Sequence, residues 1–152
     1  MKKIILLVVF TLSIVGNAQN QSKKISSFNL ENKVALQGYD PVSYFKQNKA
    51  TKGKKELAAT HDGITYYFSS KENKEAFLKN ASTFEPQYGG WCAFAMGTNG
   101  EKVSINPETF KIIDGKLYLY YNAYFNNTLK SWNKDETNLK AKANSNWKKI
   151  YN

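Results

Sequence analysis

Hydrophobic and polar positions change their period several times along this chain, and each change marks an element. After a polar stretch ending at Lys33, "VALQGYDPVSYF" places Gly38, Asp40 and Pro41 as loop punctuation before the apolar-aromatic run Val42 to Phe45. "ELAATHDGITYYFSS" carries apolar runs on either side of Asp62-Gly63 and predicts a hairpin, one strand through Leu57 to His61 and the other through Ile64 to Phe68. Ser69 with Glu72 three residues on reads as a capping box. It opens a helix of about ten residues whose inner face is marked by Ala76 and Phe77 and whose end is marked by Asn80. A second hairpin follows in "TFKIIDGKLYLYYN", turning at Asp114-Gly115, with Ile112, Leu117 and Leu119 as its apolar positions. Two helical stretches close the chain. In the last, Leu139, Ala143, Trp147 and Ile150 recur at helical spacing and form one stripe of an amphipathic helix. The pattern predicts one small α+β domain over residues 34–152, built from two Asp-Gly hairpins, a central helix and C-terminal helices.

The beginning of the chain has a different pattern. Lys2 and Lys3 precede a mostly apolar stretch from Ile4 to Val15, followed by Gly16, Asn17 and Ala18, which fits a signal peptide over residues 1–18. Residues 19–33 are polar and read as a flexible leader. The expected location is periplasmic or secreted. No membrane span is expected, because no later stretch approaches the ~18 consecutive apolar residues of a spanning helix.

Charge narrows the partners. The formal net charge is +10, and the 22 basic side chains are all lysine. Without arginine, bidentate recognition of phosphate and guanine has no guanidinium fork to use, so no nucleic-acid partner is expected. Four lysines fall between Lys49 and Lys55, which reads either as a solvated face or as a contact for an anionic surface.

Candidate chemistry centres on "QYGGWCAFAMG", which holds the only cysteine. A single cysteine cannot form an internal disulfide, so packing must hold the fold. Cys92, Met96 and His61 supply thiolate, thioether and imidazole, a donor set suited to monovalent copper. If the segment after Gly90 is helical, Cys92 and Met96 lie on one side of a turn, with Gly89-Gly90 as a flexible presentation of the sulfur. Two alternatives stand beside the metal ion. In one, Cys92 is a nucleophile activated by His61, with Asp62 or Asp114 orienting the imidazole. In the other, the chain is a module for a non-metal ligand or a protein partner, and Cys92 is a small buried hydrophobe. The tyrosines Tyr66, Tyr67, Tyr118, Tyr120, Tyr121 and Tyr124 fit half-buried strands or an aromatic-walled groove. Alternation puts Tyr118 and Tyr120 on one face of a strand and Leu117 and Leu119 on the other.

With these pieces in order, the stretches "GYDPVSYF", "DGITYYFSSKENKEAFLKN", "PQYGGWCAFAMG", "IDGKLYLYYN" and "ANSNWKK" make the chain resemble a YHS-domain protein of the secreted, single-domain bacterial type. The resemblance implies a small treble-clef-like α+β domain associated with copper or other heavy metals, with no established enzymatic activity. In metal-binding relatives the family pattern has cysteines at the positions that here hold Ser43, Ser69 and Asn73, which are poor ligands for soft metals. Cys92, in the "YGGWC" motif of the secreted subgroup, would then anchor a different site with His61 or Met96. The expectation is a metal-binding or accessory protein without turnover.

Overall fold

In the computed structural model, which describes residues 19–151, the chain enters through helix α1 over residues 19–27. The expected signal peptide, residues 1–18, lies outside the described residues. Strands β1 (Leu30–Glu31) and β2 (Val34–Ala35) then form a tight hairpin. The segment expected as a flexible leader is thus structured. Ile25, Phe28 and Leu30 pack against the core, and Lys24 and Ser27 are buried. Its polar composition hides this because few apolar side chains do the packing and the buried lysine is paired. Lys24 Nζ donates to Glu85 Oε1 at 2.6 Å and to Asp62 Oδ2 at 2.9 Å.

A turn at Leu36–Gly38 leads to α2 (Pro41–Lys46), a helix the sequence pattern did not announce. Asp40 caps it and Pro41 takes its first position, where the missing N–H costs nothing. β3 (Lys54–His61) and β4 (Ile64–Phe68) form the first expected hairpin, with His61 opposite Ile64. Asp62 and Gly63 both adopt left-handed φ (48° and 77°), the geometry that Asp-Gly tolerates in a two-residue turn. β2 pairs parallel to β4, giving a four-stranded sheet in the order β1-β2-β4-β3. α3 (Lys71–Lys79) follows, capped by Ser70 rather than Ser69, because Ser69 is engaged elsewhere.

After α4 (Ala81–Phe84) and a second tight turn, Gln87–Gly90, comes α5 (Ala93–Thr98). The second expected hairpin is β5 (Asn106–Ile113) with β6 (Lys116–Tyr120). β7 (Asn122–Ala123) and β8 (Asn126–Asn127) make a third small ribbon. The two expected closing helices are α6 (Thr128–Trp132) and α7 (Glu136–Tyr151). Among the described residues no helix is long and apolar enough to cross a membrane.

The alternation of β6 divides the interior. Leu117 and Leu119 join Ile64, Tyr66, Phe68 and Phe77 in one core cluster. Tyr118 and Tyr120, on the opposite face, join Tyr88, Met96, Trp132 and Ala143 in another. Both faces of β6 are buried, so these tyrosines are packing residues and not the wall of an open groove. The α7 stripe behaves as its spacing predicts: Leu139 and Ala143 are buried, and Trp147 and Ile150 pack at the edge.

α5 and α7 meet backbone to backbone at Gly97, where an added Cβ would lie 2.6 Å from the carbonyl oxygen of Leu139. Backbone cannot yield as a side-chain tip can. Gly97→Ala is therefore expected to destabilise by roughly 1–3 kcal/mol through overpacking, read as a lower urea midpoint. An unchanged midpoint would show that the two helices slide apart freely.

Candidate functional site

The "YGGWC" segment is pinned on both sides. Tyr88, Gly89 and Gly90 all have positive φ (54°, 60° and 83°), and a Cβ on Gly89 would sit 2.9 Å from both the Phe28 and Trp147 rings. The carbonyl of Gly89 accepts from the N–H of Asn29 (2.9 Å), and the Trp91 indole N–H donates to the carbonyl of Ser27 (2.7 Å). Gly89-Gly90 therefore serves close packing against residues 27–29 rather than mobile presentation of the sulfur.

Cys92 follows as the first flanking residue of α5 and is fully buried. The N–H of Tyr121 donates to Cys92 Sγ at 3.3 Å, and Sγ lies 3.4 Å from Thr128 Oγ1. Thr128 Oγ1 also donates to the carbonyl of Tyr121 at 2.8 Å. A hydroxyl has one proton, and here the shorter bond takes it, so Thr128 Oγ1 is left to accept the S–H. The thiol thus closes a small ring of hydrogen bonds that ties the start of α5 to the end of β6 and the start of α6. The sulfur's residue also borders a recess of about 350 Å3 whose other lining groups include Phe94, Thr98, Asn99, Tyr121 and Asn126.

The other two sequence-predicted ligands lie in different surroundings. Met96 is fully buried in the cluster containing Trp132 and Tyr120, whereas Cys92 belongs to the cluster on the opposite face of β6. His61 is half-exposed at the end of β3. Its Nε2 is 3.4 Å from Asp62 Oδ2, and its ring stands edge-on to Phe77 with centroids 6.0 Å apart. No hydrogen bond links His61, Met96 and Cys92 side chains to one another. Among the described residues no group of three or more His, Cys, Asp or Glu side chains converges on a point. Of the carboxylates considered as orienting groups, Asp62 does face His61 but is also held by Lys24, while Asp114 takes Lys140 at 2.9 Å.

Asp40 was not singled out by sequence. It is fully buried, its Oδ1 accepts from the N–H of Val42 (2.9 Å), and its Oδ2 gathers three donors. These are the N–H of Ser69 (2.8 Å), Ser69 Oγ (2.5 Å) and Asn73 Nδ2 (2.7 Å). Ser43 Oγ donates to the carbonyl of the same residue at 2.8 Å. Ser43, Ser69 and Asn73 are the three positions the family resemblance marks, and they do cluster in space around Asp40, whose carboxylate takes donors from Ser69 and Asn73 and whose carbonyl takes the Ser43 hydroxyl. In the sequence the Asp-Pro pair reads as loop punctuation, although it starts α2. The donors from residues 69 and 73 come from β4's end and α3, and only the fold brings them in.

The lysine run has a definite local role. Lys52 Nζ donates to the carbonyl of Gln37 (2.9 Å) and lies 4.6 Å from the Tyr39 ring centroid. Lys52 and Lys55 also edge a recess of about 670 Å3 over the outward face of β4, which shares no lining residue with the Cys92 recess. No family model, curated protein or solved structure matches the chain.

Proposed function

We propose that the chain is an exported, YHS-like accessory domain that works by binding, without turnover, and that Cys92 is its internal fastening. The observation that carries this reading is the hydrogen-bond ring at the sulfur, in which the thiol donates to Thr128 and accepts from the N–H of Tyr121. A nucleophilic thiol needs a base within hydrogen-bond reach, and the histidine is occupied with Asp62 and Phe77. Export rests on the pattern of residues 1–18.

A soft-metal reading, with copper(I) anchored on Cys92, has one observation in its favour: the residue borders a recess rather than solid core. The other polar groups around that recess are hydroxyls and amides, which suit monovalent copper poorly. His61 or Met96 would have to be brought in by movement.

The two readings part on measurement. The fastening role predicts slow iodoacetamide alkylation of the native thiol that accelerates with denaturant, and no stoichiometric copper(I) uptake against a competing chelator. It also predicts that Cys92→Ala costs about 1–3 kcal/mol, because the partly buried Tyr121 N–H loses its acceptor. Tight copper(I) binding that disappears in Cys92→Ser would overturn it in favour of the metal site.

A further inference from the structure

Among the described residues the chain makes four two-residue hairpin turns, and one of them departs furthest from the residue types that such turns favour. Asp62-Gly63 and Asp114-Gly115 join their strands through residues that accept positive φ readily, and Asn32-Lys33 at least leads with asparagine. Between β7 and β8 the turn is Tyr124-Phe125, with Ala123 opposite Asn126. Their φ values are 51° and 64°. A bulky side chain in the left-handed region is strained, since its Cβ crowds the neighbouring carbonyl. Neither ring recovers that strain by packing. Tyr124 is 92% exposed and Phe125 is fully exposed, whereas Tyr120 and Trp132 close by in sequence are completely buried. The fold therefore holds two aromatic rings in water, at a ribbon tip, in a conformation that asparagine and glycine would adopt with less strain.

We propose that the Tyr124-Phe125 tip is a membrane-contact finger, inserting its rings into the interface of a bilayer rich in anionic lipid. Strain maintained without internal compensation points to use outside the fold. The choice of a bilayer follows from what surrounds the tip. Asn122, Asn126 and Asn127 flank it along the chain, so the ribbon itself adds only Ala123 to the two rings, far less than the roughly 800 Å2 that each partner gives to a protein interface. A lipid interface needs only the tip: aromatic rings settle at headgroup depth, and amide side chains meet the headgroups. The lysine excess, +10 over the whole chain and +8 (20 lysines less 12 carboxylates) without Lys2 and Lys3 of residues 1–18, complements an anionic surface and adds attraction that one or two rings alone would not supply. This goes beyond the role assigned to Cys92 and does not depend on it.

The test compares the chain from Gln19 onward, which holds the whole described fold, with its Tyr124→Asn/Phe125→Gly double variant. Both are sedimented with vesicles of phosphatidylcholine alone and of phosphatidylcholine with phosphatidylglycerol. The parent is expected to sediment with the anionic vesicles, less so as salt is raised, and the double variant to bind roughly tenfold more weakly or worse. The same double variant is expected to melt at the same temperature as the parent or higher, because it relieves the turn. Failure of the parent to bind anionic vesicles overturns the proposal and returns the rings to a protein partner. So does equal binding by parent and variant, which would make lysine charge the whole effect, or a lower melting temperature in the variant, which would make the rings part of the fold.

Discussion

Asp40→Ala is expected to lower folding stability by on the order of 3–5 kcal/mol, measured by urea denaturation at neutral pH. The carboxylate is fully buried and forms no ion pair among the described residues; four hydrogen bonds take the place of solvent. The four donors come from three pieces of structure: α2 through Val42, the end of β4 through the N–H and hydroxyl of Ser69, and α3 through Asn73. Removing the acceptor strands all of them at once, and stranded buried donors carry their full desolvation cost. Asp40→Asn separates the contributions. Its remaining oxygen can still cap α2, but its amide would face donors where Oδ2 now accepts, so an intermediate loss of about 2 kcal/mol is expected. If Asp40→Ala costs under about 1 kcal/mol, the network is ornament and α2 is held by its apolar contacts alone.

The contrast between Asp40 and Cys92 shows what can be read from the residues alone. Local signals worked wherever the answer was local. Asp-Gly between apolar runs gave two hairpins, the spacing of Leu139 and Ala143 gave the inner face of α7, and alternation put Leu117 and Tyr118 on opposite sides of β6. Readings that needed the other half of a contact were less secure. Ser69 looks like a helix cap until Asp40, 29 positions earlier, claims its hydroxyl and the cap passes to Ser70. Cys92 and Met96 are one helical turn apart, yet they enter opposite cores because α5 begins at the boundary between them. The tyrosines of β6 alternate as expected, but nothing in their spacing tells that Trp132 and Tyr88 will cover them. The Tyr124-Phe125 turn is invisible to periodicity. Aromatic residues favour strands, and the left-handed backbone that makes the pair unusual is a property of the folded ribbon.

Lys24→Met is the second large effect, expected at about 3 kcal/mol near neutral pH. The substitution keeps most of the stem's packing while removing the charge, which isolates the ion pair from the hydrophobic contribution. Glu85 is largely buried and would keep only the Tyr66 hydroxyl, at 3.0 Å, as a partner. Burial by itself would lower the Lys24 pKa, but the hydrogen bonds it donates to Glu85 and Asp62 outweigh it and hold the ammonium above its ordinary value. Asp62 is held below the ordinary carboxylate value, chiefly by its hydrogen bond to Lys24. The two shifts set the limits of the contribution. The lysine's part is complete below its unfolded pKa of about 10.5 and fades as pH climbs through the raised folded value. The aspartate's part is complete above its unfolded pKa of about 3.8 and fades as pH falls through the lowered one; since Asp62 is half-exposed, its share is the smaller. The stability gap between parent and Lys24→Met should therefore be widest and flat between those limits and narrow beyond them. Starting the chain at Val34 is a harsher version of the same test. It removes α1, β1, the lysine and the Ser27 carbonyl that holds Trp91, and is expected to abolish the cooperative transition. A shortened chain that still unfolded cooperatively at the parent's midpoint would return residues 19–33 to the role of a leader.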